Sequence, residues 1–309
     1  MTAGRRRVRH VPTGCGQVTV NRRRYNTLFT IDIGSNTYCV VEEFPPGLAV
    51  APMYKAIQTT HSLVGIRTRP RESKHKLVAL QKVFHAAHRM SGYMPRTVDY
   101  GWSDTHEYLV VEWIEGRPLE QYISRQAPGK PYFTAVDSYR LVRSLAYSLQ
   151  RLHRVGIVHG DLKPLNLVLP GPERMQLLPI DFGSSWFGLR GISRERASTR
   201  GYAAPEQWRN ADFVDRRTDQ FAASVILYRL LTGDLPYEGL GGQAGNAGAP
   251  MKLVAPSRRN SEVWSDLDRV VKRGLALDAA DRYPSTDDWV SELNSARPRD
   301  QRPRGSAWW

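Results

Sequence analysis

Cysteine is almost missing from this chain of 309 residues, which has only Cys15 and Cys39. That scarcity excludes a disulfide-dense small scaffold, and the spacing matches no metal-binding pattern, so the expectation is two free thiols in a reducing compartment. Long hydrophobic runs are also lacking. The longest nearly apolar stretch, residues 221–231, falls far short of the ~20 residues a membrane-spanning helix needs. No apolar segment follows the Arg-rich first residues, so no secretory signal is expected either, and the reading is a cytoplasmic protein without a transmembrane segment. Internal repeats are absent.

Acidic residues are missing where basic ones concentrate. Residues 1–24 hold seven Arg and no acid, and residues 297–309 hold four Arg against one Asp. With the +7 and +3 of these ends set aside, only +4 of the net charge of +14 belongs to residues 25–296. The ends therefore read as a basic, disordered arm and a basic tail. They are candidates for an acidic partner, anionic lipid or a polyanion, or are simply solvated.

Between the ends, the pattern divides into a β-rich half and a helical half. Residues 28–34 read as a strand running into a Gly-containing turn, and residues 38–41 as the returning strand. A Pro-Pro-Gly turn precedes a third strand candidate at residues 48–57. Residues 65–76, dense in Arg and Lys, are expected as an inserted loop. Leu77, Leu80, Val83, Phe84 and Ala87 recur at helical spacing. Residues 97–100 and 108–114 read as further strands, and residues 115–118 close this half. Beyond it, Tyr139, Val142, Leu145, Ala146, Leu149 and Leu152 form one apolar stripe of a long helix, and residues 221–231 are apolar nearly all round, as a central helix would be. Residues 239–250, rich in Gly and Ala, are expected as a flexible loop, with helices following at 263–276 and 289–293.

The stretch IVHGDLKPLN at residues 157–166 places His159, Asp161, Lys163 and Asn166 within eight residues. Alone it could be a capped turn. Shortly after it, a short apolar strand runs into Asp181-Phe182-Gly183. Two acids and an amide around one cleft can hold Mg²⁺ against the phosphates of ATP, because hard Mg²⁺ takes a few oxygen ligands. Phosphoryl transfer then needs mainly positioning and charge neutralisation. In that chemistry Asp161 orients the acceptor hydroxyl and takes its proton, Asn166 and Asp181 hold the metal, and Lys163 neutralises the transferred phosphate.

With these signatures the chain resembles the eukaryotic-type (Hanks-type) Ser/Thr protein kinase family, in a bacterial-like form, over about residues 25–296. His159-Gly160-Asp161 with Lys163 and Asn166 resembles the catalytic loop, and Asp181-Phe182-Gly183 the metal-binding motif. TRGYAAPE at residues 199–206 is similar to the end of an activation segment, with Thr199 beside the catalytic groups. Asp219 matches the buried aspartate that braces the catalytic loop, and Arg282 the late arginine that pairs with Glu206. His159 is then structural, and His153 likewise reads as packed. The resemblance implies an α+β, two-lobed fold: a small β-rich N-lobe at 25–116, and a larger, mostly helical C-lobe at 117–296. It also implies ATP and Mg²⁺ as cofactors, and protein substrates with Ser or Thr acceptors.

Departures from the family cluster in the first half. The glycine loop falls on Gly34, Asn36, Cys39 and Val41, and only its first Gly is kept. Lys55 is assigned as the ATP-phosphate lysine, with Glu72 the nearest acid for its helix partner. Gly160 replaces the family's arginine, so no guanidinium is available there for a phosphorylated activation segment. Three rival readings remain: an aminoglycoside- or choline-type small-molecule phosphotransferase, a catalytically weak pseudokinase acting as a scaffold, and a nucleic-acid adaptor using the Arg arms.

Overall fold

The computed structural model describes residues 7–12, 16–44, 53–58, 62–70, 92–124, 129–171, 175–180, 186–187, 201–208, 214–246 and 251–298. The chain divides into two units, the first running to Glu115 and the second starting at Gly116. Glu72, Asp181, Thr199 and the helix expected around residues 77–87 lie outside the described residues.

The first unit is built on a seven-stranded antiparallel sheet. It comprises β1 (Val8–Val11), β4 (Phe29–Ile33), β5 (Asn36–Phe44), β6 (Met53–Gln58), β7 (Leu63–Pro70), β8 (Thr97–Trp102) and β9 (His106–Glu112). Their order is β1-β4-β5-β6-β7-β9-β8, while β2 (Gln17–Val20) and β3 (Arg23–Asn26) form a separate hairpin. An isolated bridge between Arg7 and Trp102 links the two edges, so the sheet curls back on itself. Alternation along the strands sends Ile31, Tyr38, Val40, Tyr54, Val64 and Val110 into the enclosed interior. Asp99, wholly buried, accepts hydrogen bonds there from Asn36 Nδ2 at 2.7 Å and Tyr38 Oη at 3.0 Å. The interior carboxylate thus ties β5 to β8.

Three sequence expectations change here. Residues 1–24, expected as a disordered arm, supply β1, β2 and the start of β3. Val8 lies between Arg7 and Arg9, and Val18 and Val20 alternate with Gln17 and Thr19, a strand signal which the charge count hides. The loop expected at residues 65–76 is occupied from its start by β7, again a basic strand with an apolar face. The third strand candidate, expected at residues 48–57, is met by β6, which runs one residue further, to Gln58, while residues 48–52 lie outside the described residues. Cys39, on β5, is disulfide-bonded rather than a free thiol, and Cys15 is the chain's one other cysteine.

The second unit is mostly helical. Its helices are α1 (Glu120–Ile123), α2 (Ala135–Arg154), α3 (Pro205–Trp208), α4 (Arg216–Thr232), α5 (Ser265–Gly274) and α6 (Thr286–Ser295). Helix α2 starts at Thr134, whose side chain accepts the Asp137 N–H, and its apolar stripe packs on α4 and α6. Helix α4 begins at the Asp215 cap and is buried nearly all round. It ends at Gly233, whose φ of +81° suits glycine. Short strands β10 (Arg117–Pro118), β12 (Leu167–Leu169) and β13 (Leu178–Pro179) form one ladder, and β11 (Ile157–Val158) pairs with β14 (Trp186–Phe187). The flexible loop expected at 239–250 contains a 3-10 helix, Gly241–Asn246, where a Cβ on Gly241 or Gly242 would collide with the backbone of Gly201 or Ala203. Those glycines serve close packing.

Candidate active site

Helix α2 and strand β11 deliver the chain to the loop of residues 159–163, and α4 fixes its backbone from behind. Asp219, in the first turn of α4 and 1% exposed, accepts the His159 N–H at 2.8 Å and the Gly160 N–H at 2.9 Å. Its Oδ2 also meets His153 Nε2 at 2.8 Å, and His153 Nδ1 meets Thr286 Oγ1 at 2.6 Å. Burial alone would push this carboxyl up. The hydrogen bond and charge of His153, the charge of His159 and the Gly160 N–H outweigh it, so its pKa lies below the ordinary 3.8. A buried anion therefore holds the loop. Gly160 takes φ +76°, a left-handed conformation that costs glycine nothing, which explains the residue type independently of any lost guanidinium.

The polar groups read from the sequence converge in this loop. Lys163 Nζ donates to Asp161 Oδ2 at 2.8 Å, and Asn166 Nδ2 donates to the same oxygen at 3.1 Å and to the Asp161 carbonyl at 2.9 Å. A 3-10 turn, Pro164–Asn166, makes this reach possible by folding Asn166 back over Asp161. The amide orientation leaves Asn166 Oδ1 without a hydrogen-bond donor among the described residues, and a neutral oxygen beside a carboxylate suits a hard cation. His159 is fully buried and its Nε2 meets the Ile180 carbonyl at 3.0 Å.

Helix α3 adds a second brace. Gln207 Nε2 donates to the Gly160 carbonyl at 2.8 Å, while its Oε1 accepts the Ala204 N–H at 2.9 Å. Glu206 is held by Arg282 at 2.7 and 2.9 Å, and by Thr218 Oγ1 at 2.9 Å. A small pocket opens beside the loop, lined by Asp161, Lys163, Tyr202, Gln207 and Thr218. Burial pushes the Tyr202 hydroxyl up to about 12, against the opposing charge of Arg229, which donates to it. That phenol stays neutral. Gln207 was not legible as a loop contact in the sequence, because its role depends on α3 meeting Gly160.

The first unit arranges its candidates differently. Gly34 sits in the tight turn between β4 and β5, where Ile33 pairs with Asn36. Val41 falls at an irregularity in the β5–β6 register, and Lys55 pairs with Glu42. Six residues of β5 therefore separate Lys55's partner from Asn36, roughly 20 Å of strand. The structure does not bring Gly34 and Lys55 together. Lys55 Nζ instead lies 4.6 Å from the Trp113 ring centroid. On β7, the sequence Val64-Gly65-Ile66-Arg67 follows the V-A-I-K strand pattern of protein kinases with Gly for Ala and Arg for Lys. Reading residues 65–76 as a loop hides that signal.

Comparison with known proteins agrees with this geometry. The sequence model described as the protein kinase domain matches residues 57–291, a span that contains β7 and the loop and excludes Gly34, Val41 and Lys55. The chain is 31% identical over 235 residues to the serine/threonine-protein kinase pkn3 of Myxococcus xanthus, covering 68% of this chain and 41% of that protein. It is 28% identical over 210 residues to a probable serine/threonine-protein kinase PknB of Lactococcus lactis, covering 66% and 32%. It is 26% identical over 208 residues to the serine/threonine-protein kinase PrkC of Bacillus subtilis, covering 66% and 31%. The chain thus spans about a third to two-fifths of the length of the curated relatives it matches. With most of its length matched and the braced loop inside that match, the chain belongs to the protein kinase domain family.

Proposed function

We propose that this chain transfers the γ-phosphate of ATP to Ser or Thr hydroxyls of proteins. The observation that carries the reading is the loop of residues 159–166, with Asp161 held by Lys163 and Asn166, on a backbone anchored by buried Asp219. The acceptor oxygen bonds to the γ-phosphorus as the bond to the β,γ-bridging oxygen breaks. The hydroxyl proton passes to the Asp161 carboxylate, and ADP leaves. Lys163 offsets charge on the transferred group. Asn166 Oδ1 and Asp181 hold Mg²⁺, which supplies charge neutralisation on the phosphates.

For the cation that positions the non-transferred phosphates we assign Arg67 rather than Lys55. Arg67 stands at the lysine place of the strand pattern, within the family match, whereas Lys55 lies outside it and packs on Trp113. An arginine there carries its charge in a planar fork rather than as a compact point, so the substitution is not neutral. That difference favours a second reading, a catalytically weak member acting as a scaffold. A small-molecule phosphotransferase is disfavoured by the Glu206–Arg282 pair and by the Ser/Thr kinase relatives.

The test is incubation with labelled ATP, Mg²⁺ and a generic basic protein, beside Asp161→Ala and Asp181→Ala. Label on protein only with the unmutated chain supports the kinase reading; ATP bound without transfer supports the scaffold. Loss of transfer in Arg67→Ala with retention in Lys55→Met supports the assignment of Arg67, and the opposite result reverses it.

A further inference from the structure

The outer face of the first unit's sheet carries a flat aromatic that the catalytic reading does not use. Val64 and Ile66 point into the enclosed interior, so Gly65 and Arg67 belong to the opposite face. Cross-strand pairing extends that face, since Gly65 is partnered by Lys55 on β6 and by Val111 on β9. Gly65 has no side chain, and the Trp113 indole comes over the gap. A Cβ at Gly65 would lie 3.6 Å from Trp113 Cε3 and 3.6 Å from Val111 Cγ2. Phe44 stacks on the same indole, with centroids 5.9 Å apart and planes at 18°. The Lys55 ammonium sits 4.6 Å from the Trp113 ring centroid and 5.7 Å from that of Tyr25.

The sheet surface at Gly65 and the parallel aromatic Phe44 are what a nucleotide base would use. The argument rests on the assignment of Arg67 to the nucleotide phosphates. Arg67 is two residues from Gly65 along β7, about 7 Å. A base tethered to phosphates at Arg67 therefore reaches the ground around Gly65 and Lys55. We propose that in the nucleotide-free protein the Trp113 indole occupies the base position on this face. The indole must leave Gly65, Phe44 and Lys55 before a nucleotide binds. Trp113 then sets the nucleotide affinity, and Gly65, smaller than the alanine of the strand pattern, makes room for it.

The experiment is a titration of the full chain with a fluorescent ATP analogue in Mg²⁺, using the unmutated protein, Trp113→Ala and Lys55→Met. Trp113→Ala is expected to tighten binding about tenfold, since the displaced stack no longer competes. Lys55→Met leaves the indole in place but removes the ammonium over it, and is expected to tighten binding about two- to five-fold. It also covers the case in which Trp113→Ala fails to fold. Unchanged or weaker binding in Lys55→Met, or in a folded Trp113→Ala, overturns the proposal and makes the indole a stacking platform or a bystander. Adding Arg67→Ala to Trp113→Ala separates the two readings: if tight binding survives it, the phosphate assignment fails. If none of the proteins binds the analogue, the nucleotide reading fails, and this inference with it.

Discussion

The Arg282 guanidinium grips the Glu206 carboxylate through two hydrogen bonds, 2.7 and 2.9 Å long, while itself wholly buried. Its remaining donors reach the Ala276 and Arg217 carbonyls at 2.8 and 3.0 Å, and the guanidinium carbon lies 4.7 Å from the Phe221 ring centroid. Removing one partner leaves the other as a buried charge without compensation. We expect Arg282→Ala to destabilise the second unit by about 3–5 kcal/mol. Urea unfolding followed by tryptophan fluorescence reads this directly, and a loss near zero would mean that water replaces the pair.

Asp219 is expected to matter for both stability and rate. An Asn in its place offers one acceptor oxygen where two N–H groups and His153 now converge. Leaving a buried N–H unpaired costs about 1–3 kcal/mol, and the loosened loop should lower transfer more than it raises the KM for ATP. The sign with pH follows from the depressed pKa. The stabilisation is present above the unfolded value of 3.8 and is lost as pH falls through the lower folded value. Acid unfolding of the unmutated chain should therefore steepen below that pH, and Asp219→Asn should flatten it.

Gly160 links backbone geometry to regulation. Its φ of +76° means that Gly160→Ala places a Cβ in the left-handed region, at a cost of about 1–2 kcal/mol. Thermal unfolding would show this. Because glycine offers no cation to a phosphate, phosphatase treatment of the purified chain is expected to leave the transfer rate unchanged, and a large drop would reveal a phosphate receptor elsewhere.

The first residues should prove structural. Deleting residues 1–26 removes β1, with its four-residue ladder to β4, and the β2–β3 hairpin. We expect a lower midpoint of thermal unfolding and weaker refolding of the first unit, where a disordered arm would give no change. With Cys39 in a disulfide, the unreduced, unfolded chain should show no titratable thiol, and dithiothreitol should lower the midpoint.

The second unit was largely legible because its signals are local and dense. Asp161, Lys163 and Asn166 fall within six residues, and a 3-10 turn suffices to bring them together. Glu206 with Arg282 could be paired from motif order alone. The first unit misled because its strands are basic. In Ile66-Arg67-Thr68-Arg69 the two arginines alternate with uncharged residues, and a count of Arg and Lys reads such a strand as a loop. Gln207 was beyond reach for a different reason, since its contact with Gly160 depends on how α3 is placed and on nothing in its own neighbourhood.

The Arg7–Trp102 bridge, which closes the seven strands on themselves, has a consequence for how the protein behaves in a crowded solution. An open sheet presents two rows of unpaired N–H and C=O groups that recruit strands from other chains. Here the first strand brings one exposed rim against the other, and its Arg9 and His10 give the remaining outer strand a charged and polar character. A truncated chain would therefore lose more than stability: it would gain a sticky border, and should assemble into β-rich aggregates at concentrations where the intact chain stays dispersed.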